Sequence, residues 1–126
     1  MKVYRATPSL PVDDLNAARE FAETCLGFKT LSQDDRHVLC NRDAAFIRFI
    51  NAAPDADMAD EARQLVLYLD VDDVDAFWAA KRASLKALPK GRVREPFDQP
   101  YGQRELHVIH GPFLFILGHP LSKEQT

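Results

Sequence analysis

Hydrophobic positions along the chain switch between a period of two and a period near 3.6, and the switch occurs twice. In residues 6–12, Leu10 and Val12 share one face of an extended run. From Leu15 onward, Ala18, Ala22, Cys25 and Leu26 continue at helical spacing, with Phe21 at the margin of the stripe. Residues 65–71 repeat the extended pattern, with Leu69 and Val71 on one face. Val74, Phe77, Trp78 and Leu85 then form a second helical stripe, joined by the apolar stem of Lys81. A pair of aspartates sits at each junction, Asp13 with Asp14 and Asp72 with Asp73, and either member can cap the helix that follows. Gly27 ends the first helix, and Pro89 and Gly91 lie beyond the second. Short strands are predicted after each helix: 28–32, 37–40 and 44–50 in the first half, and 93–95, 104–109 and 113–117 in the second.

The two halves echo one another in residue identity as well as in pattern. LPVDDLNA begins at residue 10 and LDVDDVDA at residue 69, an offset of 59. A single long-period repeat in so short a chain reads as two fused units rather than a solenoid. The expected architecture is α+β, a single domain of two tandem strand–helix–strand–strand–strand modules. Module one covers about 3–51, an acidic Pro54-bearing linker covers 52–62, and module two covers about 63–120. The tail, 121–126, is expected to fray.

Composition narrows the class. A chain of 126 residues suits one domain that buries enough surface to need no disulfide or metal staple. Its net charge of −3 lacks the basic footprint of a duplex-binding protein, so no nucleic-acid partner is expected. No apolar run approaches a membrane span, and the N-terminus has no signal-peptide core. A cytoplasmic protein without a membrane partner is the expectation. Cys25 and Cys40 read as buried, inert thiols; activation of Cys40 by His37 is the alternative.

Few motifs carry chemistry. The acidic run 70–75 lacks the glycine and terminal glutamate of a calcium loop and is better read as helix capping. No paired His or Cys spacing suits zinc, and no phosphate-binding glycine loop or nucleophile elbow occurs. Of the four histidines, His107 stands out, because strand parity sets it opposite Leu106 and Val108. The segment 95–106, EPFDQPYGQREL, presents Phe97 and Tyr101 between stiffening prolines and reads as a candidate binding loop.

The duplicated module, the stretch DDLNAAREFAETCLGF and the late QPYGQREL together resemble the vicinal-oxygen-chelate (glyoxalase/bleomycin-resistance/dioxygenase) superfamily. Within it they most resemble the bleomycin-resistance proteins, and the likeness covers about residues 3–120. The resemblance implies cupped mixed sheets. Metal-dependent members place ligands at positions that match Thr7, Arg48, Val66 and Ile116 here. Those side chains cannot hold a divalent cation, so no metal and no cofactor are expected. The drug-binding branch is a strand-swapped homodimer with ligand clefts at the subunit interface, and Pro8 matches a first-strand proline linked to that exchange. Tyr101 falls where that branch has a stacking tryptophan. Arg36 stands in place of a groove-lining phenylalanine, and the turn at residues 110–112 looks shorter.

The resulting expectation is a homodimer that binds and sequesters a partly aromatic small molecule, either antibiotic-like or an aromatic acid, as antibiotic-resistance proteins do. The candidate ligand-binding residues are Ser9, Arg36, Arg48, Tyr68, Tyr101, Glu105, His107 and Ile116, with no catalytic residue assigned. Two arginines favour an anionic or acidic ligand, unless Arg48 pairs with Glu105 or Asp70. One alternative is a metal-independent glyoxalase-like lyase or isomerase, or another enzyme of the superfamily, with His107 or Glu105 as base. Another is an interaction domain that binds nothing small.

Overall fold

The computed structural model describes residues 1–122; the last four residues of the expected frayed tail lie outside the described residues. The chain divides into two compact units, Met1–Met58 and a second beginning at Ala59. The boundary falls inside the 52–62 segment.

In the first unit, β1 (Ser9–Val12) leads into α1 (Leu15–Phe21), followed by β2 (Lys29–Gln33), β3 (His37–Arg42) and β4 (Ala45–Asn51). The strands form one mixed sheet in the order β1-β4-β3-β2, with β1 parallel to β4 and the other pairs antiparallel. Asp14 caps α1 by accepting the Ala17 N–H at 3.0 Å. The helix then widens into a π turn, Ala22–Leu26, before Gly27 closes it in the left-handed region at φ 71°. The sequence pattern had implied one uninterrupted α-helix over this stretch. Leu10, Val38 and Phe49 from the sheet and Ala18 and Leu26 from the helix are buried together as the core of this unit. Each large side chain so removed from water contributes about 1.5–3 kcal/mol.

The second unit repeats the plan. Strands β5 (Leu65–Asp70), β6 (Val93–Asp98), β7 (Gln103–His110) and β8 (Phe113–Pro120) form a sheet ordered β5-β8-β7-β6, with β5 parallel to β8. Helix α2 (Val74–Lys86) is capped by Asp73, which accepts the Ala76 N–H at 3.0 Å. His119 on β8 adds a second cap, its Nδ1 accepting the Val74 N–H at 2.9 Å. Arg104 ties the first turn of α2 to the β6–β7 hairpin, reaching Asp75 at 2.9 and 3.1 Å and Asp98 at 2.8 Å. Leu106, Val108, Phe115 and Leu117 are buried on one face of the sheet, with Phe77 and Leu85 of α2. Strand parity then turns Glu105, His107, Leu114, Ile116 and Gly118 to the opposite face.

The repeat holds at the level of register. Ser9 lies beside Arg48 across the parallel β1–β4 pair, and Tyr68, 59 residues after Ser9, lies beside Ile116 across the parallel β5–β8 pair. Strand β6 is longer than the expected 93–95. It runs through Pro96, which an edge strand tolerates because a missing N–H there breaks no ladder bond. Only residues 99–102 form a turn, so much of the expected binding loop is strand. Among the described residues no helix is long and apolar enough to cross a membrane.

Candidate functional site

The face of the second sheet that points away from α2 is organised around one buried carboxylate. Glu105 is 0% exposed. It accepts hydrogen bonds from Tyr68 Oη at 2.9 Å, Tyr101 Oη at 2.5 Å, Gln99 Nε2 at 3.1 Å and His107 Nε2 at 2.8 Å. A carboxylate taken out of water is costly unless its lone pairs are satisfied, and four donors match its four lone-pair sites. Burial alone would raise the Glu105 pKa. The bonds from His107, Tyr101, Gln99 and Tyr68 outweigh that effect and hold it below the ordinary carboxylate value. Both tyrosine hydroxyls are pushed up, Tyr68 first by burial and then by its bond to Glu105, and Tyr101 first by that bond.

Local sequence explains how each donor arrives. Tyr68 lies on β5, two strands away from β7, and its phenol crosses β8 at Gly118. A Cβ placed there would sit 2.7 Å from Tyr68 Cζ, so only glycine leaves room. Pro100 sets the turn between β6 and β7, which Gly102 closes with a 3.0 Å N–H bond to the Gln99 carbonyl. That turn carries Tyr101 over the Glu105 carboxylate. The two rings remain accessible although their hydroxyls are fixed: Tyr101 is 61% exposed and Tyr68 38%. His107 donates through Nε2, because its partner is an ionised carboxylate that can only accept. Phe97 meets the His107 ring edge-on, with centroids 5.0 Å apart.

The candidate residues therefore fall into two sets. Tyr68, Tyr101, Glu105 and His107 form one hydrogen-bonded group, and Ile116 sits beside both Tyr68 and His107 in the ladder. Ser9 and Arg48 are ladder neighbours in the first unit. Arg36 is exposed on the β2–β3 turn, where its backbone N–H is held by Asp34 Oδ1 at 2.7 Å. Among the described residues Arg48 makes no side-chain ion pair or hydrogen bond, and all four partners of Glu105 belong to the second unit. Gln99, Gly118 and Phe97 were not singled out for these roles from the sequence. Phe97 and Gln99 carried the prior signal of the 95–106 segment, whereas Gly118 carried none.

The other reactive groups are quiet. His37 has both ring nitrogens engaged, Nδ1 with Asp34 at 2.9 Å and Nε2 with Ser32 at 3.1 Å. It is not an activator of Cys40. Burial, and secondarily the charge of Glu23, push the Cys40 thiol up to about 12. Metal-ligand chemistry fits poorly. Val66 and Ile116 offer no donor atom, Arg48 is cationic, and Thr7 Oγ1 accepts from Arg5 Nε at 3.3 Å. No group of three or more His, Cys, Asp or Glu side chains among the described residues is placed to hold an ion.

No family model and no curated protein sequence matches the chain significantly. Solved structures do. A bleomycin resistance determinant encoded on the transposon Tn5 superposes with a TM-score of 0.75 at 22% identity, covering 94% of this chain and 98% of that one. A bleomycin-binding protein complexed with bleomycin gives 0.74 at 24%, covering 93% and 98%. A lactoylglutathione lyase from Agrobacterium tumefaciens gives 0.66 at 18%, covering 94% and 95%. The chain has the glyoxalase/bleomycin-resistance fold. That fold hosts binders and enzymes alike, so its activity in this chain must be argued from the site.

Proposed function

We propose that the protein binds and sequesters a partly aromatic small molecule, without a metal, on a face built around Glu105. The observation carrying this reading is the pinning of two accessible tyrosine rings, Tyr68 and Tyr101, to one fully buried carboxylate. Rings fixed before the ligand arrives lose little freedom on binding, which favours stacking of a flat partner. Glu105, with its oxygens fully used, is a positioning residue rather than a contact. Ile116 adds apolar surface and His107 a polar ring nitrogen. Ser9, Arg36 and Arg48 would reach the ligand from a partner subunit, in a homodimer with its cleft at the interface. Two buried cysteines not joined in a disulfide are in keeping with a cytoplasmic setting, where a resistance protein would meet its drug.

The test is calorimetric titration and thermal shift with bleomycin-type antibiotics and with aromatic acids. A stabilising ligand supports the reading, as linkage requires. Unchanged affinity in both Tyr101→Ala and Arg48→Ala would remove this cleft from consideration.

A metal-independent lyase or isomerase is the second reading. Its specific support is the Glu105–His107 pair, which orients the imidazole through Nε2, so that in the neutral ring Nδ1 is the nitrogen that could take a proton. The same geometry favours His107 over the saturated Glu105 as base. Mass spectrometry of a bound ligand before and after incubation separates the readings, since a binder returns it unchanged.

A further inference from the structure

Strand β6 carries a charged group onto the Glu105 face by a register fault. Arg94 and Phe97 are three residues apart, so in a regular strand they would point to opposite faces. The ladder to β7 shifts between them: Arg94 pairs with His107 and Phe97 with Glu105, and these partners are only two residues apart. The extra residue in β6, at Glu95–Pro96, is a bulge, and it turns Arg94 and Phe97 to the same side as His107 and Glu105. There the Arg94 guanidinium carbon lies 3.4 Å from the Phe97 ring centroid. Phe97 in turn packs edge-on against His107.

This stack leaves the guanidinium fixed but unspent. One flat side rests on Phe97 while its N–H groups point outward in the plane of the group. Among the described residues the Arg94 side chain makes no ion pair and no hydrogen bond, and the residue is exposed. The neighbouring Glu105 does not compete for it, since that carboxylate is buried and already accepts four bonds.

Resting on the reading of this face as an aromatic-binding surface, we infer that Arg94 is the seat for a carboxylate carried by the ligand, and that the ligand class is an aromatic carboxylic acid. A planar carboxylate accepts two parallel N–H bonds from the free edge of the guanidinium. The aromatic part of the same molecule then lies along the face toward His107 and the pinned tyrosines. This assigns the anion-binding role to a residue of β6, ahead of Arg36 and Arg48.

The experiment is calorimetry on the full chain with 2-naphthoate and its neutral isostere 2-naphthamide. Wild type should bind the acid more tightly than the amide by roughly tenfold, in keeping with a partly exposed charge-assisted pair. Arg94→Gln should abolish that preference while leaving amide binding in place, and Arg94→Lys should restore only part of it. Arg82→Gln, which removes the same charge from α2 on the other side of the sheet, should keep the preference. An acid preference that survives Arg94→Gln, or is lost instead in Arg48→Gln, overturns the assignment. Equal binding of both probes by wild type also overturns it and leaves the aromatic surface standing. Binding of neither probe removes the aromatic surface and the carboxylate seat together.

Discussion

Tyr68 donates to Glu105 at 2.9 Å across an intervening strand, over Gly118, the glycine of β8. The contact joins β5 to β7 without passing through the backbone ladder. It fixes a phenol at a place where any side chain on β8 would have blocked it.

Gly118→Ala should therefore act through Tyr68. The new methyl would stand 2.7 Å from Tyr68 Cζ, closer than real contacts allow. The ring must move, and Glu105 loses one of its donors. We expect a loss of about 1–3 kcal/mol in denaturant unfolding, the range for overpacking combined with a lost buried hydrogen bond. In the double variant with Tyr68→Phe the two costs should fall short of additive, because both remove the same bond. Full additivity would mean that the glycine acts on something else.

Acid stability should report on Glu105. Its folded pKa is depressed, so its contribution is present above the unfolded value of about 4.3 and is lost as pH falls through the folded value. Glu105→Gln should be less stable than wild type at neutral pH by about 1–3 kcal/mol, because the buried donors lose acceptors. The gap should narrow below about pH 4 as the wild-type carboxyl takes up its proton. Asp34 is also depressed, chiefly by the Arg36 backbone N–H, but it is present in both proteins and cancels in the difference. On the alkaline side the raised Tyr68 hydroxyl predicts the opposite sign: stability falls as pH rises past about 10, where the unfolded phenol ionises first. Melting temperatures of both proteins across pH check each limb.

Much of this arrangement can be read in the residues themselves. The 59-residue echo carries through to atomic detail, with Asp14 and Asp73 making equivalent caps and Ser9 and Tyr68 holding equivalent ladder positions. Strand parity alone turns His107 and Glu105 away from Leu106 and Val108. What parity cannot supply is a register fault. The bulge at Glu95–Pro96 exists only in the pairing of β6 with β7, so Arg94 and Phe97 read from the sequence as residues of opposite faces. The π turn after α1 is hidden for a similar reason, since Ala22, Cys25 and Leu26 suit an α-helical stripe equally well. The convergence of Gln99, Tyr101 and Tyr68 on Glu105 joins residues up to 37 positions apart and depends on Gly118 leaving a gap. No local pattern encodes that gap.

The cysteines offer a test of core integrity. Cys25 and Cys40 are both buried, and Cys40 donates to the Ile47 carbonyl at 3.6 Å with its thiol pushed up to about 12. A thiolate-selective reagent should leave both unmodified in the native protein at neutral pH and label both in denaturant. Rapid native labelling of Cys40 would contradict the packing of β3 against β4.

Tyr101 separates the two parts of the proposed platform, the ring and its anchor. Tyr101→Ala removes an exposed ring together with one of the four donors to the buried Glu105, so it should also lower stability by about 1–3 kcal/mol, which a parallel unfolding measurement separates from the loss of affinity. Affinity for an aromatic ligand should fall by about 1 kcal/mol or more, the worth of one aromatic pair. Tyr101→Phe keeps the ring and removes only the 2.5 Å bond to Glu105, so the ring is free to turn. If fixing the ring contributes to affinity, Tyr101→Phe should fall between wild type and Tyr101→Ala, with the loss appearing as a less favourable binding entropy in calorimetry. A Tyr101→Phe variant that binds as tightly as wild type would make the hydroxyl a matter of stability alone. Glu105 would then serve the fold rather than the ligand.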